Sequence, residues 1–192
     1  YEKLKKQEKK LLKSADAVVS LTNAGKKIIE KWSFMEKINT DINVIPCCTD
    51  FNLFSPNKIN IAERDQVKFG LGIKKEDTII SYLGSIGSWY MLPEMFDFFK
   101  VFMEEKPEAK MLFISRDDSE MILKIAREKS IPENKILIKG AQRELVPSIL
   151  SLSDLSLFFI KPVFSKQASS PTKLAEILSM EIPVITNAGV GD

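Results

Sequence analysis

Short apolar runs alternate with amphipathic segments from Thr78 onward, and this alternation constrains the fold more than any other feature of the sequence. Each run is long enough for one strand, and each segment between two runs is long enough for one helix. The predicted strands are residues 78–83, 110–115, 135–139, 155–160 and 183–186. Short connections between such elements predict βαβ units, and therefore an α/β, Rossmann-like domain with a doubly wound parallel sheet.

The loops that follow these strands are the predicted ligand site, because ligands of parallel sheets bind beyond the carboxyl ends of the strands. These loops comprise residues 84–88, 116, 140–143, 165–172 and 187–191. The sequence ends at Asp192, directly after a Gly-x-Gly turn that normally precedes a closing helix. We therefore expect a fragment of a larger fold, truncated at both ends.

Residues 1–60 have a different pattern. A lysine-rich helix is predicted over residues 1–13, strands over 15–21 and 43–45, and a helix over 24–32. Residues 49–58 are mostly polar and show no periodicity, which is typical of a linker. We predict three parts: the end of an N-terminal domain in residues 1–48, an inter-domain linker in residues 49–60, and an incomplete C-terminal domain in residues 61–192.

Composition excludes several classes of function. With 28 basic and 26 acidic residues the net charge is only +2, so nucleic acid is not an expected partner. Histidine, the commonest general base and metal ligand, is absent, and the two cysteines are the neighbours Cys47 and Cys48. We therefore expect no metal site, reduced thiols and a cytoplasmic protein. Without a run of ~20 apolar residues, any membrane contact is expected to be peripheral.

The segment 169–178 is the strongest candidate for an anion site. Ser170 is predicted as a helix N-cap and Pro171 as the first helical residue. The predicted buried face carries Leu174, Ile177 and Leu178. Three residues off that face lie near the helix start: Thr172, Lys173 and Glu176. The small hydroxyl residues Ser169 and Ser170, the unpaired N–H groups and the helix dipole favour a phosphate there.

A second candidate is the turn Gly84-Ser85-Ile86-Gly87 between a strand and a helix. Its glycines allow the backbone to approach a phosphate or a sugar closely, although the geometry of a tight turn also explains them. The full G-x-G-x-x-G spacing of dinucleotide sites is missing, which argues against a nicotinamide or flavin cofactor. Trp89 and Tyr90 then form either a stacking platform for a ligand or part of the packing around Phe96.

Four charged residues near strand ends or the helix start have two interpretations each. Glu176 either accepts hydrogen bonds from ribose hydroxyls or forms a surface salt bridge with Lys173. Lys173 is equally a candidate counter-charge for a phosphate. Arg116 and Arg143 either pair with a phosphate or remain solvated, and Gly140 opens the loop that contains Arg143.

An ordered series of short motifs runs through the chain. In order, they are Ala15-Asp16-Ala17-Val18-Val19; Val44-Ile45-Pro46-x-x-x-Asp50 with Phe54-Ser55-Pro56; Gly84; Ser170-Pro171-Thr172-Lys173-x-x-Glu176; and Pro183-Val184-Ile185. On these motifs the chain resembles the retaining nucleotide-sugar glycosyltransferases of the GT-B fold, the group 1 family. The resemblance covers nearly all 192 residues, but only about the second half of such an enzyme.

The resemblance implies a hexosyltransferase of polysaccharide biosynthesis that moves a sugar, with retention, from a nucleotide diphosphate to a glycan or lipid-linked acceptor. Residues 1–48 then belong to the acceptor-side domain and residues 61–192 bind the donor, without a metal or a cofactor. The fragment alone is expected to be inactive, and contact with the inner face of the membrane is expected only through the missing domain. The implied donor-binding set is Gly84, Ser85, Gly87, Arg116, Gly140, Arg143, Ser169, Ser170, Thr172, Lys173 and Glu176.

Three positions depart from the pattern of that family. The first of its two glutamates would fall at Ala168, and the usual Asn-Gly of the linker is Cys47-Cys48. The basic pair that usually clamps the diphosphate would fall near Ser85 and Tyr90 or Met91. Neutralisation of the diphosphate is then expected from the helix dipole or from Lys173, Arg116 or Lys166. Two alternatives therefore stay open: a non-catalytic GT-B-like module that binds a nucleotide or a partner, and a nucleotide-sugar epimerase.

Overall fold

The computed structural model describes residues 1–38 and 40–192, which form two compact units. The first unit comprises Tyr1–Cys47, Pro162–Pro171 and Ala188–Asp192, and the second comprises Cys48–Lys161 and Thr172–Asn187. The sequence-based parts differ from these units, because two segments of the predicted C-terminal part, after residue 161 and after residue 187, belong to the first unit.

The first unit is built on a pair of parallel strands. Helix α1 (Glu2–Ser14) precedes strand β1 (Ala17–Ser20), and helix α2 (Asn23–Glu30) leads towards strand β2 (Asp41–Val44). The two strands pair from Ala17 opposite Asp41 to Ser20 opposite Val44. The predicted helix–strand–helix–strand order of this part is therefore confirmed, although β1 and α2 are shorter than predicted and β2 begins earlier, at Asp41.

Contacts around α2 explain why the two later segments join the first unit. Thr22 caps the helix, since its hydroxyl oxygen accepts a hydrogen bond from Gly25 N–H at 2.9 Å. The Asp192 carboxylate accepts hydrogen bonds from Asn23 N–H at 2.7 Å and Ala24 N–H at 2.8 Å, and these bonds lower the pKa of Asp192. A Cβ on Gly25 would lie 3.0 Å from that of Ala168, so the other segment packs closely against α2.

The second unit is a parallel α/β domain, as the alternation predicts. Its strands are β3 (Ile79–Leu83), β4 (Lys110–Ile114), β5 (Ile136–Ile138), β6 (Leu155–Phe158) and β7 (Val184–Thr186). Its helices are α3 (Ile61–Gly70), α4 (Leu92–Glu105), α5 (Ser119–Glu128), α6 (Val146–Leu150) and α7 (Thr172–Ser179). All strand pairs are parallel, in the order β5-β4-β3-β6-β7.

The core of this unit lies on both faces of β3 and β4. All five residues of β3 are buried, which is why these strands are continuous apolar runs rather than alternating ones. Helix α4 buries Leu92, Met95, Phe96 and Phe99, and each such side chain contributes roughly 2 kcal/mol of burial free energy. The strand order places β4 and β6 on opposite sides of β3, so the connections leaving β3 and β6 diverge and open a crevice beside β3.

Two boundaries differ from the sequence prediction. The alternation predicts one helix between the strands 135–139 and 155–160, where the structure has a 3₁₀ turn, Arg143–Leu145, followed by the short helix α6, which has Pro147 in its first turn. The helix predicted to begin at Pro171 begins at Thr172. Within the described ranges, no helix combines the length and the apolar character needed to cross a bilayer.

Candidate functional site

A cavity of about 390 Å³, here called the crevice, lies at the carboxyl ends of β3 and β4. Its position is the one expected for a ligand site in a parallel sheet of this order. Six residues of the predicted donor-binding set line it: Gly84, Ser85, Arg116, Arg143, Lys173 and Glu176. The remaining lining residues are Leu83, Ile114, Ser115, Asp117, Ala141 and Val146.

An ion pair between Arg143 and Glu176 forms one side of the crevice. The Arg143 guanidinium donates to Glu176 Oε1 at 2.8 Å and lies 5.1 Å from the ring centroid of the buried Phe54. The Glu176 side chain is only 8% exposed, whereas that of Arg143 is 55% exposed. The predicted alternative of a salt bridge between Lys173 and Glu176 is therefore wrong, because Arg143 is the partner.

Lys173 lies among aromatic rings, away from direct contact with a carboxylate. Its Nζ is 3.7 Å from the ring centroid of Tyr90 and 4.1 Å from that of Tyr82, and it donates to Tyr82 Oη at 3.1 Å. The Phe158 ring is 5.7 Å away. We call Tyr82, Tyr90 and Phe158 the aromatic box. Burial lowers the pKa of Lys173 to about 7, although Glu176 and Asp117 act in the opposite direction.

The predicted orientation of α7 is wrong in part, since only Ile177 of the predicted buried face is fully buried. The sequence placed Leu174, Ile177 and Leu178 inside and Lys173 and Glu176 outside. The structure buries Lys173, Glu176 and Ile177, and it leaves Leu178 55% exposed. The apolar pattern misleads here because Arg143, distant in sequence, pairs with the buried Glu176 carboxylate. The aromatic box surrounds the Lys173 amine, but it offsets the cost of burial only in part, since the pKa of this amine is lowered.

The glycine turn adopts the backbone conformation that its composition suggests. Gly84 has φ +99° and Gly87 has φ +48°, in the region that favours glycine. A Cβ on Gly84 would lie 3.4 Å from Lys173 Nζ, so this glycine also allows the amine to approach the backbone. Gly87 does not line the crevice, and its contribution is the shape of the turn.

Asp117 is a site residue that the sequence analysis missed. Its carboxylate accepts hydrogen bonds from the Ser85 hydroxyl at 3.0 Å and from Ile86 N–H. Tyr82 Oη donates to the Ser85 carbonyl at 2.7 Å, so the turn is held from both sides. The sequence feature that could have identified Asp117 is its position just beyond the end of a strand, next to Arg116. Donors that the turn was expected to offer to a phosphate are thus already bonded to a carboxylate.

Arg116 borders the crevice while it holds a neighbouring loop. Its Nε donates to the Ala141 carbonyl at 2.7 Å, and its Nη2 donates to Gln142 Oε1 at 2.6 Å. Gly140 lies in the same loop, where a Cβ would be 3.3 Å from the Ser115 carbonyl oxygen. Gly140 therefore permits the close approach of two loops, and Arg116 fixes the loop that begins there.

The other predicted residues lie away from the crevice lining. Thr172 is exposed at the first position of α7. Ser169 and Ser170 belong to the first unit, and the Ser170 hydroxyl accepts a hydrogen bond from Cys47 N–H at 3.1 Å. The predicted role of Ser170 as the N-cap of α7 is wrong, because α7 begins at Thr172 and Ser170 does not directly precede it.

The charges that line the crevice nearly balance. Arg116, Arg143 and Lys173 are basic, and Asp117 and Glu176 are acidic. Three positive and two negative groups give +1 when Lys173 is protonated and 0 when it is neutral. In the part of the chain that the structure describes, no cluster of histidine, cysteine, aspartate or glutamate is arranged to hold a metal ion.

No protein-family profile and no curated protein sequence matches this chain. Solved structures match it at low identity. A glycosyltransferase from Rickettsia africae ESF-5 has TM-score 0.69 and 16% identity over 97% of this chain and 49% of that chain. WaaG, a glycosyltransferase involved in lipopolysaccharide biosynthesis, has TM-score 0.65 and 16% identity over 90% of this chain and 44% of that chain.

A third match is the pneumococcal O-GlcNAc transferase GtfA in complex with UDP and GlcNAc, with TM-score 0.59 and 14% identity over 91% of this chain and 30% of that chain. The chain spans about half the length of the first two matched structures and less of the third. Similarity at this level of identity concerns the fold. The chain has the α/β, GT-B-type fold of these glycosyltransferases.

Proposed function

We propose that this chain is the donor-binding part of a metal-independent retaining glycosyltransferase, which moves a sugar from a nucleotide diphosphate to a glycan or lipid-linked acceptor. The observation that carries the proposal is the buried Glu176 carboxylate, fixed by Arg143 at the carboxyl edge of a parallel sheet. A carboxylate held in a crevice by one oxygen can accept hydrogen bonds from sugar hydroxyls with the other. The GT-B-type fold, shared with structures of known glycosyltransferases, supports the same activity.

The lining residues suggest a division of roles. Glu176 Oε2, which has no hydrogen-bond partner among residues 1–38 and 40–192, accepts ribose hydroxyls. The Gly84 turn lets the diphosphate approach the backbone, and the ammonium of Lys173 balances its charge. The loop fixed by Arg116 borders the base. The first unit supplies the end of the acceptor-side domain in this proposal.

The chemistry follows from these roles. Cleavage of the sugar–phosphate bond builds positive charge on an oxocarbenium-like sugar and negative charge on the departing diphosphate. Groups that stabilise the second charge without reorganising lower the barrier. Here the group proposed for this role is the Lys173 ammonium, so no metal is required. The proposal places this reaction in the cytoplasm.

One observation favours a second candidate, a non-catalytic GT-B-like module. Asp117 already binds the Ser85 hydroxyl and Ile86 N–H, and the lining carries at most one net positive charge. Such a crevice would repel a diphosphate more than a crevice without Asp117. Of the two ligands left open for such a module, a nucleotide and a partner protein, this crevice favours the partner protein.

Calorimetric titration of the intact protein with UDP, GDP and their sugars separates the two candidates. We expect binding of at least one nucleotide, and we expect the Glu176→Gln variant to bind it at least ~10-fold more weakly, because ribose hydroxyls lose a charged acceptor. The exposed Glu128 on α5, which is outside the crevice, provides the control variant Glu128→Gln. Absence of nucleotide binding would leave only the module. Binding that is unchanged in Glu176→Gln would remove Glu176 from the site.

A further inference from the structure

Lys173 borders the crevice and yet is withdrawn from solvent. The residue is only 8% exposed, and its Nζ lies close to the ring faces of Tyr82 and Tyr90. A Cβ on Gly84 would stand 3.4 Å from Nζ, so on this side the amine faces the backbone that lines the crevice. The amine is therefore held between an aromatic box and a ligand-sized space.

The groups that face Lys173 come from each element packed around it. Strand β3 contributes Tyr82, the segment after β3 contributes Tyr90, and β6 contributes Phe158. The two carboxylates that act on Lys173 at longer range are Glu176 on its own helix and Asp117 after β4. The other charged lining groups are Arg116 and Arg143.

Both carboxylates are engaged elsewhere. Arg143 holds Glu176, while Ser85 and Ile86 hold Asp117. Within the described parts of the chain, Lys173 forms no ion pair. Ring faces stabilise an ammonium by cation–π attraction, but they supply no negative charge. Across the described residues, the positive charge of Lys173 is consequently left without a close counter-charge.

We propose that Lys173 is a proton-linked anion site, whose amine takes up a proton from bulk water when a phosphate-bearing ligand enters the crevice beside Gly84. This inference rests on the proposed function, since the anion it invokes is the diphosphate of a nucleotide. The only covalent change is one new N–H bond on Nζ, and the ligand's own negative charge compensates the ammonium. Burial lowers the pKa of Lys173 to about 7, and the negative charge of a bound diphosphate would raise this pKa again.

The pKa values of Lys173 in the free protein and in the complex determine the pH range in which nucleotide binding takes up a proton. Below about pH 7 the amine already carries its proton, so binding takes up almost none. Between about pH 7 and the higher pKa of the complex, uptake approaches about one proton, and affinity falls by up to ~10-fold for each pH unit. Nucleotide binding is therefore tighter near neutral pH than in alkali.

Titration of the intact protein with UDP at about pH 8, in two buffers of different ionisation enthalpy, counts the protons that binding takes up. We expect approximately one proton for the natural protein. The Lys173→Met variant should take up none and should bind at least ~10-fold more weakly at about pH 7, because an unbranched apolar side chain fits the box but carries no charge. Lys100 on α4 is exposed and outside the crevice, so Lys100→Met should behave as the natural protein.

The outcomes separate this inference from the proposed function. UDP binding without proton uptake, or with equal uptake in Lys173→Met, overturns the inference and leaves the proposed function standing. Absence of binding by UDP and GDP at every pH overturns both. If Lys173→Met fails to fold, the pH dependence of nucleotide affinity in the natural protein tests the inference. An affinity that falls between about pH 7 and pH 9 supports it, and an affinity that is constant over this range contradicts it.

Discussion

Two lysines of the second unit are largely withdrawn from solvent, at opposite ends of the parallel sheet. Lys110 begins β4, its side chain is 15% exposed, and its Nζ lies 2.7 Å from Asp77 Oδ2. Lys173 lies at the carboxyl end of the sheet, where its nearest partners are the Tyr82 hydroxyl and the rings of Tyr82 and Tyr90. The first amine thus has a carboxylate in direct contact, and the second has aromatic faces.

The difference indicates which end of the sheet is specialised for structure and which for a ligand. At Asp77 burial alone would raise the pKa, but the hydrogen bonds from Lys110 and from Lys74 N–H outweigh it, and the pKa falls. Each charge of that pair therefore stabilises the other in the folded chain. At Lys173 the protonated form is disfavoured, so burial of this amine costs stability. Groups buried at such a cost are characteristic of functional sites.

The largest effect is expected in how the unfolding free energies of the natural protein and the Lys173→Met variant differ as the pH changes. The folded pKa of Lys173, about 7, lies below its ordinary value of 10.5, so the unfolded state binds more protons between these values, and the stability of the natural protein rises with pH there. The difference in unfolding free energy between variant and natural protein should change by on the order of 3 kcal/mol, in favour of the natural protein, from about pH 6 to about pH 10.

Denaturant unfolding at several pH values measures this difference. Lys100→Met, at an exposed position of α4, should give a difference that stays nearly constant over the same range. A constant difference for Lys173→Met as well would mean that Lys173 titrates as an ordinary exposed lysine.

The next largest effect is expected at the other lysine. Asp77→Asn leaves Lys110 partly buried without its carboxylate and should lower the unfolding free energy by roughly 2 kcal/mol near neutral pH. The folded pKa of Asp77 is lowered, so its contribution is present above the ordinary value of 3.8 and is lost as the pH falls through the folded pKa. Natural protein and variant should therefore converge in acid.

An exposed ion pair provides the matched control for Asp77→Asn. Lys129 Nζ lies 2.6 Å from Asp97 Oδ2, but the two side chains are 31% and 55% exposed. Asp97→Asn should cost no more than about 0.5 kcal/mol in thermal or denaturant unfolding. Equal costs for both variants would show that the Asp77–Lys110 pair is no better shielded than a surface pair.

Substitutions of the two glycines in the turn test whether contact with Lys173, rather than the shape of the turn alone, affects nucleotide binding. Gly84→Ala strains a residue at φ +99° and places a Cβ 3.4 Å from Nζ, so we expect a loss of about 1.5 kcal/mol in stability together with weaker nucleotide binding. Gly87→Ala, at φ +48° with open space around its Cβ, should cost about 1 kcal/mol and leave binding nearly unchanged. Unfolding and calorimetric titration of both variants test this, and equal losses of affinity would contradict it.

The smallest effect is expected at Tyr90, because the ring rather than the hydroxyl contacts Lys173. Tyr90→Phe keeps the ring and should change the stability by less than about 0.5 kcal/mol. Tyr90→Leu removes the ring face and should perturb the titration of Lys173, which NMR of the lysine side chain detects. Indistinguishable titration curves for the two variants would mean that the ring does not influence Lys173.

Most of the fold could be predicted from the sequence, because buried parallel strands are continuous apolar runs and their spacing leaves room for one helix each. The same rule failed on α7, where Lys173 and Glu176 are buried and Leu178 is exposed. A one-dimensional pattern assigns charged residues to the surface and does not reveal that Arg143, distant in sequence, supplies a partner. Asp117 was missed for a similar reason, since its hydrogen bonds to the glycine turn join two separate strand ends.

Side-chain NMR of isotopically labelled lysine follows the titration of Lys173 itself, with and without UDP, and so measures the proposed coupling between this amine and the ligand. We expect a pKa of about 7 in the free protein and an upward shift of at least ~2 units when UDP is bound. A pKa near the ordinary 10.5 in the free protein, unchanged by UDP, would contradict this expectation.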